Sequence, residues 1–263
     1  MARPLRIVFL TSIRDVGSDD RNGRTIRIKD GRCYMLGAIE HAVRQCYPGG
    51  ALHGFMEVVG VITDDLSTKS DYPVEPTSNR PWIHPLDLTD HHGRRIVDRT
   101  FRVPTAFRTL PLDDTHQRYE QKLSCETRMF GIANHLRADV IVSDHYMCKI
   151  VHLHKWQRVV NLHPAITIKE SVYCFRGKRP TAAALEMAKK ITPTLTGATL
   201  HHVSDEIDEG VPIFCWGQTP VHADDTPEEL RYRNYRLAKL PVLVTGMQLY
   251  VQQLRANVPS LAA

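Results

Sequence analysis

The run VVNLHPA (159–165) ends an apolar strand in two polar side chains and a proline. Alternation along a strand sends Asn161 and His163 to one face and Leu162 to the other, and Pro164 stops the ladder that would bury them. Further on, HHVSDEIDEG (201–210) carries His201 into a turn holding Asp205, Glu206, Asp208 and Glu209. A neutral amide donor, an imidazole and a carboxylate are the oxyanion stabiliser, proton handler and orienting group that acyl transfer to an amine requires. Taken singly, Asn161 and His163 fit a capped strand end with a hydrogen-bonded core histidine, and Asp208 fits a turn carboxylate. Their combination points to a reaction, with Glu206 and Glu209 as solvated turn acids and Asp205 shaping the turn.

The elements that must position these residues alternate in type. LRIVFLTS (5–12) reads as a buried strand, GRCYMLGAIEHAVRQCY (31–47) as a helix, and FMEVVGVITDD (55–65) as the next strand. The stretch 66–114 contains Pro73, Pro76, Pro81, Pro85, Pro104 and Pro111 and reads as an irregular insertion with one short strand at RTFRV. A helix near 117–137, strands at ADVIVSD (138–144) and QRVVNLHP (157–164), and a helix at RPTAAALEMAKKI (179–191) follow. TGATLHHVSDEIDEGVPIFCWGQTPV (196–221) gives two strands around the acidic turn, adding antiparallel members to the sheet. Thr226 caps a final long helix that Pro227 opens and Pro241 kinks. The expectation is an α/β fold: a doubly wound, mostly parallel twisted sheet flanked by helices, Rossmann-type, forming a single domain over 1–263. The reacting group is then expected at the carboxyl end of the Asn161 strand.

The order NLHPA, FRGKRPTAAAL, GATLHHVSDEIDEGVPI and VHADDTPEEL resembles the folate-dependent formyltransferases. Those include enzymes acting on glycinamide ribonucleotide, methionyl-tRNA, sugar nucleotides and the N-hydroxyornithine of siderophore pathways. The resemblance runs from about 139 to 254 and is architectural before that. It implies that 10-formyltetrahydrofolate is the formyl donor and that an amine attacks its formyl carbon. It also implies catalytic roles for Asn161, His163 and Asp208: Asn161 hydrogen-bonds the oxyanion, and His163 donates to it or relays a proton. Asp208 orients His163, raises its pKa and helps move the proton from the attacking nitrogen. His201 matches a supporting histidine of the family. The family's folate pocket falls on YMCKI (146–150) and SDEID (204–208), which makes Met147, Lys149, Ile150 and Asp205 the folate-binding candidates.

Departures from the family narrow the acceptor. The ribonucleotide enzymes follow their first strand with a glycine-rich phosphate loop, whereas this chain has LTSIRDVGSDD. AITIKESVYCFRG, after Asn161 and His163, is longer and more apolar than the family's usual segment. Neither a following tRNA-binding domain nor the preceding regulatory domain of the formyltetrahydrofolate hydrolases is expected. N-hydroxyornithine is therefore the expected acceptor. A ribonucleotide or amino-sugar acceptor, hydrolysis, and non-enzymatic folate binding stay open as alternatives. Arg14, Asp15 and Lys178 are possible contacts to the acceptor's charges.

Composition excludes several other classes. With 42% hydrophobic and 24% charged residues the chain is an ordinary globular protein. No apolar run approaches a membrane span and no signal-peptide core opens it, so a cytoplasmic protein without a membrane partner is expected. The six cysteines are scattered without CxxC spacing and read as reduced. The net charge of +5 forms no stripe of the kind nucleic acid requires. TDHHGRR, VHLHK and TLHHV lack the spacing of metal-binding histidines, so no metal is expected. The expected partners are a small-molecule amine and folate, in a monomer or small homo-oligomer.

Overall fold

The structure is a computed structural model that describes residues 3–12, 25–29, 31–34, 36–65, 85, 87–104, 110, 115–146, 149–150, 158–177 and 179–256. Its strands are β1 (Leu5–Ser12), β2 (Thr25–Ile28), β3 (Gly31–Tyr34), β4 (Met56–Asp65), β5 (Thr100–Pro104), β6 (Val140–Ser143), β7 (Val159–His163), β8 (Thr194–His202) and β9 (Pro212–Val221). The helices are α1 (Ala38–Gln45), α2 (Thr115–His135), α3 (Pro180–Ala188), α4 (Pro227–Asn234) and α5 (Leu240–Ala256). A seven-stranded sheet runs in the order β5-β4-β1-β6-β7-β8-β9, while β2 and β3 form a separate hairpin. The pairings from β5 to β7 are parallel, and β8 and β9 join antiparallel. The fold is thus the mostly parallel α/β sheet that the alternation of elements predicts, and β7 stands where the sheet changes direction.

Each strand's two faces enter different layers because successive side chains alternate. Ile7 and Phe9 of β1, Val140 and Val142 of β6, and Val160 and Leu162 of β7 pack under α1 and α5 against Ile39, Val43, Val242, Leu243 and Met247. Val8, Leu10, Ile141 and Val159 face the other way, against Met129, Phe130 and Ala133 of α2. Each fully buried aliphatic side chain stabilises the fold by about 1.5–3 kcal/mol relative to exposure. Leu162 is therefore an anchor: its burial at 1% exposure holds β7 in the register that turns Asn161 and His163 to the opposite face. Among the described residues no helix is long and apolar enough to cross a membrane.

One expectation about the elements needs correction. The helix expected over 31–47 is confined to α1, Ala38–Gln45, because Gly31–Tyr34 pairs with Thr25–Ile28 as a hairpin closed opposite Ile28 and Gly31. Gly31, the first residue of β3, takes φ +115, a conformation that an L side chain resists. Within 66–114 the short strand expected at RTFRV is present as β5, which extends the main sheet beside β4. Asp90 organises the approach to β5: it accepts from the backbone of His92 and Arg94 at 2.9 and 3.0 Å and ion-pairs with Arg94 and Arg99. Arg94 is thus engaged in this loop while its side chain stays half exposed.

The C-terminal helix carries the expected start. Thr226 accepts from the Glu229 backbone at 3.2 Å while Glu229 accepts from the Thr226 backbone at 2.8 Å, a reciprocal capping box ahead of Pro227. Before Pro241, which lacks an N–H, the helix widens into a π-helical turn, Tyr235–Lys239.

Candidate active site

Asn161, His163, His201 and Asp208 meet at the carboxyl end of β7. Asn161 of β7 stands directly opposite His201 of β8, and His163 opposite Thr199. Asp208 reaches them from the turn between β8 and β9, in the left-handed region at φ +57, where Asp and Asn are the tolerated non-glycine residues. His163 and His201 are 5% and 2% exposed, so the group is shielded from water.

The hydrogen bonds define who donates. His201 Nδ1 lies 2.8 Å from the His202 carbonyl, so it carries the proton and Nε2 keeps the lone pair. That lone pair accepts from Asn161 Nδ2 at 3.2 Å, and Asn161 Nδ2 also donates to Asp208 Oδ1 at 3.2 Å. His163 donates from Nε2 to the Phe175 carbonyl at 2.9 Å, which leaves Nδ1 as the basic nitrogen, 3.4 Å from Asp208 Oδ1. Asp208 Oδ2 accepts from the Gly177 N–H at 2.8 Å.

The electrostatics follow from burial and these partners. Burial pushes the pKa of His163 below its ordinary value, and the charge of Asp208 opposes this only in part. The expected upward shift of His163 is therefore corrected: desolvation of the imidazolium outweighs the neighbouring carboxylate. Burial pushes Asp208 up, but the polar hydrogens gathered around it, the Gly177 N–H among them, outweigh this and hold Asp208 below the usual carboxylate range. The site therefore holds an ionised carboxylate beside a neutral imidazole whose free lone pair points toward it. A proton arriving at Nδ1 creates an imidazolium held between two acceptors, Asp208 and the Phe175 carbonyl.

The chain from Pro164 to Gly177 forms the wall next to this group. Its bonds to the acidic turn include Gly177 to Asp208 and a double ion pair in which Lys169 and Arg176 both hold Glu209 at 2.9 Å. Glu209, expected as a solvated acid, is thus a tie between wall and turn. The Phe175 carbonyl and the Gly177 N–H had no signature in the sequence because they are backbone groups; Gly177, at φ +85, was the one local signal of a special conformation.

Three of the four folate-binding candidates are among the described residues. Lys149 is exposed, and its carbonyl accepts from Lys122 of α2. Ile150 is 3% exposed and packs in the α2 layer, and Asp205 is exposed on the acidic turn. Among the described residues no hydrogen bond or ion pair joins these three to Asn161, His163 or Asp208. Met147, like Arg14, Asp15 and Lys178, lies outside the described residues. A cavity of about 530 Å³ opens elsewhere, between α1 and the C-terminal helices, and none of the site residues lines it. Among the described residues no group of three or more His, Cys, Asp and Glu side chains is arranged to hold a metal ion.

Comparison with known proteins bears on the family and the fold. The structure matches that of PvdF of pyoverdin biosynthesis, an N10-formyltetrahydrofolate-dependent formyltransferase, with a TM-score of 0.82 and 27% identity over 94% of this chain and 99% of that one. A phosphoribosylglycinamide formyltransferase from Anaplasma phagocytophilum shares the fold at TM-score 0.57 and 17% identity, over 95% of this chain and 89% of that one. A formyltetrahydrofolate deformylase from Pseudomonas syringae pv. tomato shares it at TM-score 0.54 and 17% identity, over 96% of this chain and 63% of that one. Among curated proteins none matches the sequence significantly. Fold and site define the class, a folate-dependent formyltransferase. The chain belongs to the formyl transferase family, whose pattern matches residues 91–245.

Proposed function

We propose that this enzyme transfers the formyl group of 10-formyltetrahydrofolate to the hydroxylated side-chain nitrogen of N-hydroxyornithine, as a cytoplasmic step of siderophore biosynthesis, with the whole chain acting as one domain. The observation that carries this reading is the likeness to PvdF of pyoverdin biosynthesis, at TM-score 0.82 against 0.57 for the ribonucleotide enzyme. The absence of a glycine run in LTSIRDVGSDD supports it, because backbone N–H groups that wrap a phosphate need glycine at the close approach.

The donor supplies an electrophilic formyl carbon. Asn161 donates an N–H to the formyl oxygen as negative charge develops there, taking that hydrogen from Asp208 Oδ1. His163 commits its Nε2 hydrogen to the Phe175 carbonyl and carries no proton on Nδ1, which favours the relay role over direct donation to the oxyanion. His163 Nδ1 takes up the proton that leaves the attacking nitrogen, directly or through water, Asp208 stabilises the resulting imidazolium, and the proton passes to the folate nitrogen as its bond to the formyl carbon breaks and tetrahydrofolate leaves. A hydroxylamine nitrogen is neutral near pH 7 whereas an alkylammonium is not, so this acceptor asks less of a base whose pKa burial has lowered.

The test mixes purified protein and 10-formyltetrahydrofolate with N-hydroxyornithine, ornithine, glycinamide ribonucleotide or no acceptor, and follows release of tetrahydrofolate. Release that requires N-hydroxyornithine and falls by about a hundredfold in Asn161→Ala supports the reading. Release with glycinamide ribonucleotide alone changes the acceptor, and release without any acceptor replaces transfer by hydrolysis.

A further inference from the structure

The π-helical turn between α4 and α5 is fastened to the ends of two strands that carry the site. Asn234, 4% exposed at the end of α4, donates to the Pro164 carbonyl at 3.0 Å, one residue beyond His163, and to the Gly197 carbonyl at 2.8 Å. At the other end of the turn Lys239 is 0% exposed. Its ammonium ion-pairs with Asp144 at 2.6 Å and donates to the Tyr235 hydroxyl at 2.9 Å and to His145 Nε2 at 3.2 Å. Asp144 and His145 directly follow β6. One turn of helix therefore grips the carboxyl ends of β6 and β7, adjacent parallel strands that pair Ser143 with Asn161.

The grip is more than packing. A buried ammonium persists only where charge and hydrogen bonds compensate its lost hydration, and truncating one partner of such a pair leaves the other uncompensated. His145 also takes a left-handed conformation, φ +62, which costs a non-glycine residue energy and persists only where its surroundings over-determine it. The contacts that do so here come from the turn: the imidazole stacks on Tyr235 at an interplanar angle of 11° and bonds its hydroxyl at 2.5 Å. A π turn holds one residue more than an α turn, and widenings of this kind recur at functional sites.

We propose that Lys239 is a positioning residue for the formyl donor: through Asp144 and His145 it fixes residues 144–146, where the chain leaves β6, relative to Asn161 and His163. This rests on reading Asn161, His163 and Asp208 as the reacting group and residues 144–146 as the start of the donor wall. Loss of the ammonium releases His145 from its left-handed conformation and moves the wall, so donor binding weakens while the reacting group itself is unchanged.

The experiment measures tetrahydrofolate binding by calorimetry, thermal unfolding, and steady-state kinetics for Lys239→Met, Asp144→Asn and the neutral double variant Asp144→Asn/Lys239→Met. The double variant leaves no unpaired buried charge, so it recovers most of the stability that Lys239→Met loses and decides the matter should that single variant fail to fold. The expected result is a tetrahydrofolate Kd and donor KM raised tenfold or more in the double variant, with kcat within threefold of the wild type. Wild-type Kd and KM in a stably folded double variant would overturn the proposal and leave the cluster a purely structural one. Asn161→Ala, assayed in parallel, separates the two readings: full kcat in that variant refutes the reacting group, whereas the calorimetric Kd still judges Lys239.

Discussion

Asn161 and His201 face each other across the β7–β8 ladder with the amide nitrogen 3.2 Å from the imidazole Nε2, and this contact orients the amide. His201 is locked as an acceptor because its other nitrogen donates to the His202 carbonyl, so Asn161 must turn its NH₂ inward toward His201 and Asp208. His201→Leu removes the acceptor and frees the amide to flip. The expected loss in kcat approaches about a hundredfold, the scale of a misplaced reacting group. His201→Gln, whose carbonyl oxygen can accept the same hydrogen, is expected to restore much of it. Equal losses in the two variants would show that the imidazole matters for something other than holding Asn161.

Asp208 joins a backbone requirement to a charge requirement, and two substitutions separate them. Asp208→Asn keeps a side chain that tolerates φ +57 and can still accept the Gly177 N–H, so its unfolding temperature is expected to stay near the wild type. Asp208→Ala loses both features and is expected to be less stable by about 1–3 kcal/mol, the cost of stranding buried donors. Both should lose about a hundredfold or more in kcat, because neither offers an anion to a protonated His163. Thermal unfolding beside single-turnover rates checks the pair, and an active Asp208→Asn would count against the charge requirement.

The titration of His163 has a definite sign. Its pKa in the folded protein lies below the ordinary 6.5 because it is buried. Above 6.5 the ring is neutral folded or unfolded and no linkage arises. As pH falls below that value the unfolded chain binds a proton that native His163 refuses, so the native state loses stability until the folded pKa is passed. The stability advantage of the wild type over His163→Asn should therefore shrink between about pH 6.5 and 5. Denaturant unfolding of both proteins across that range measures it, and an advantage that grew on acidification would mean that the carboxylate, not burial, governs the ring.

How far the sequence alone reached depends on which atoms do the work. Asn161 and His163 could be read because strand alternation and a terminal proline are properties of residue type, and Asp208 because a turn between two strands brings its carboxylate back to them. The partners of this group at Phe175 and Gly177 act through a carbonyl and an N–H, which every residue possesses. The hairpin of β2 and β3 is hidden in the sequence because the helical period of 36–46 extends backwards over the apolar residues of β3. Lys239 was unreadable for a different reason: a lysine on a helix normally reaches water, and only the strand ends opposite it reveal that this one is buried.

Gly210 links the backbone of the acidic turn to the orientation of Asn161. A Cβ added there would lie 1.6 Å from the His202 carbonyl oxygen and 3.2 Å from His201 Nδ1, so Gly210→Ala must move the carbonyl that sets the His201 tautomer. The contact is with backbone, which cannot swing aside as a flexible side chain would. Overpacking of this kind costs about 1–3 kcal/mol, and here the displacement passes from His202 to His201 and on to the amide of Asn161. Thr226→Ala is the matched control. It removes the capping box of α4 and should cost about 1 kcal/mol, with kcat unchanged because Thr226 makes no contact with the site. Gly210→Ala is expected to lower both the unfolding temperature and, by about tenfold or more, kcat. If the two variants lose similar stability and both keep full turnover, the Gly210 backbone does not control the catalytic amide.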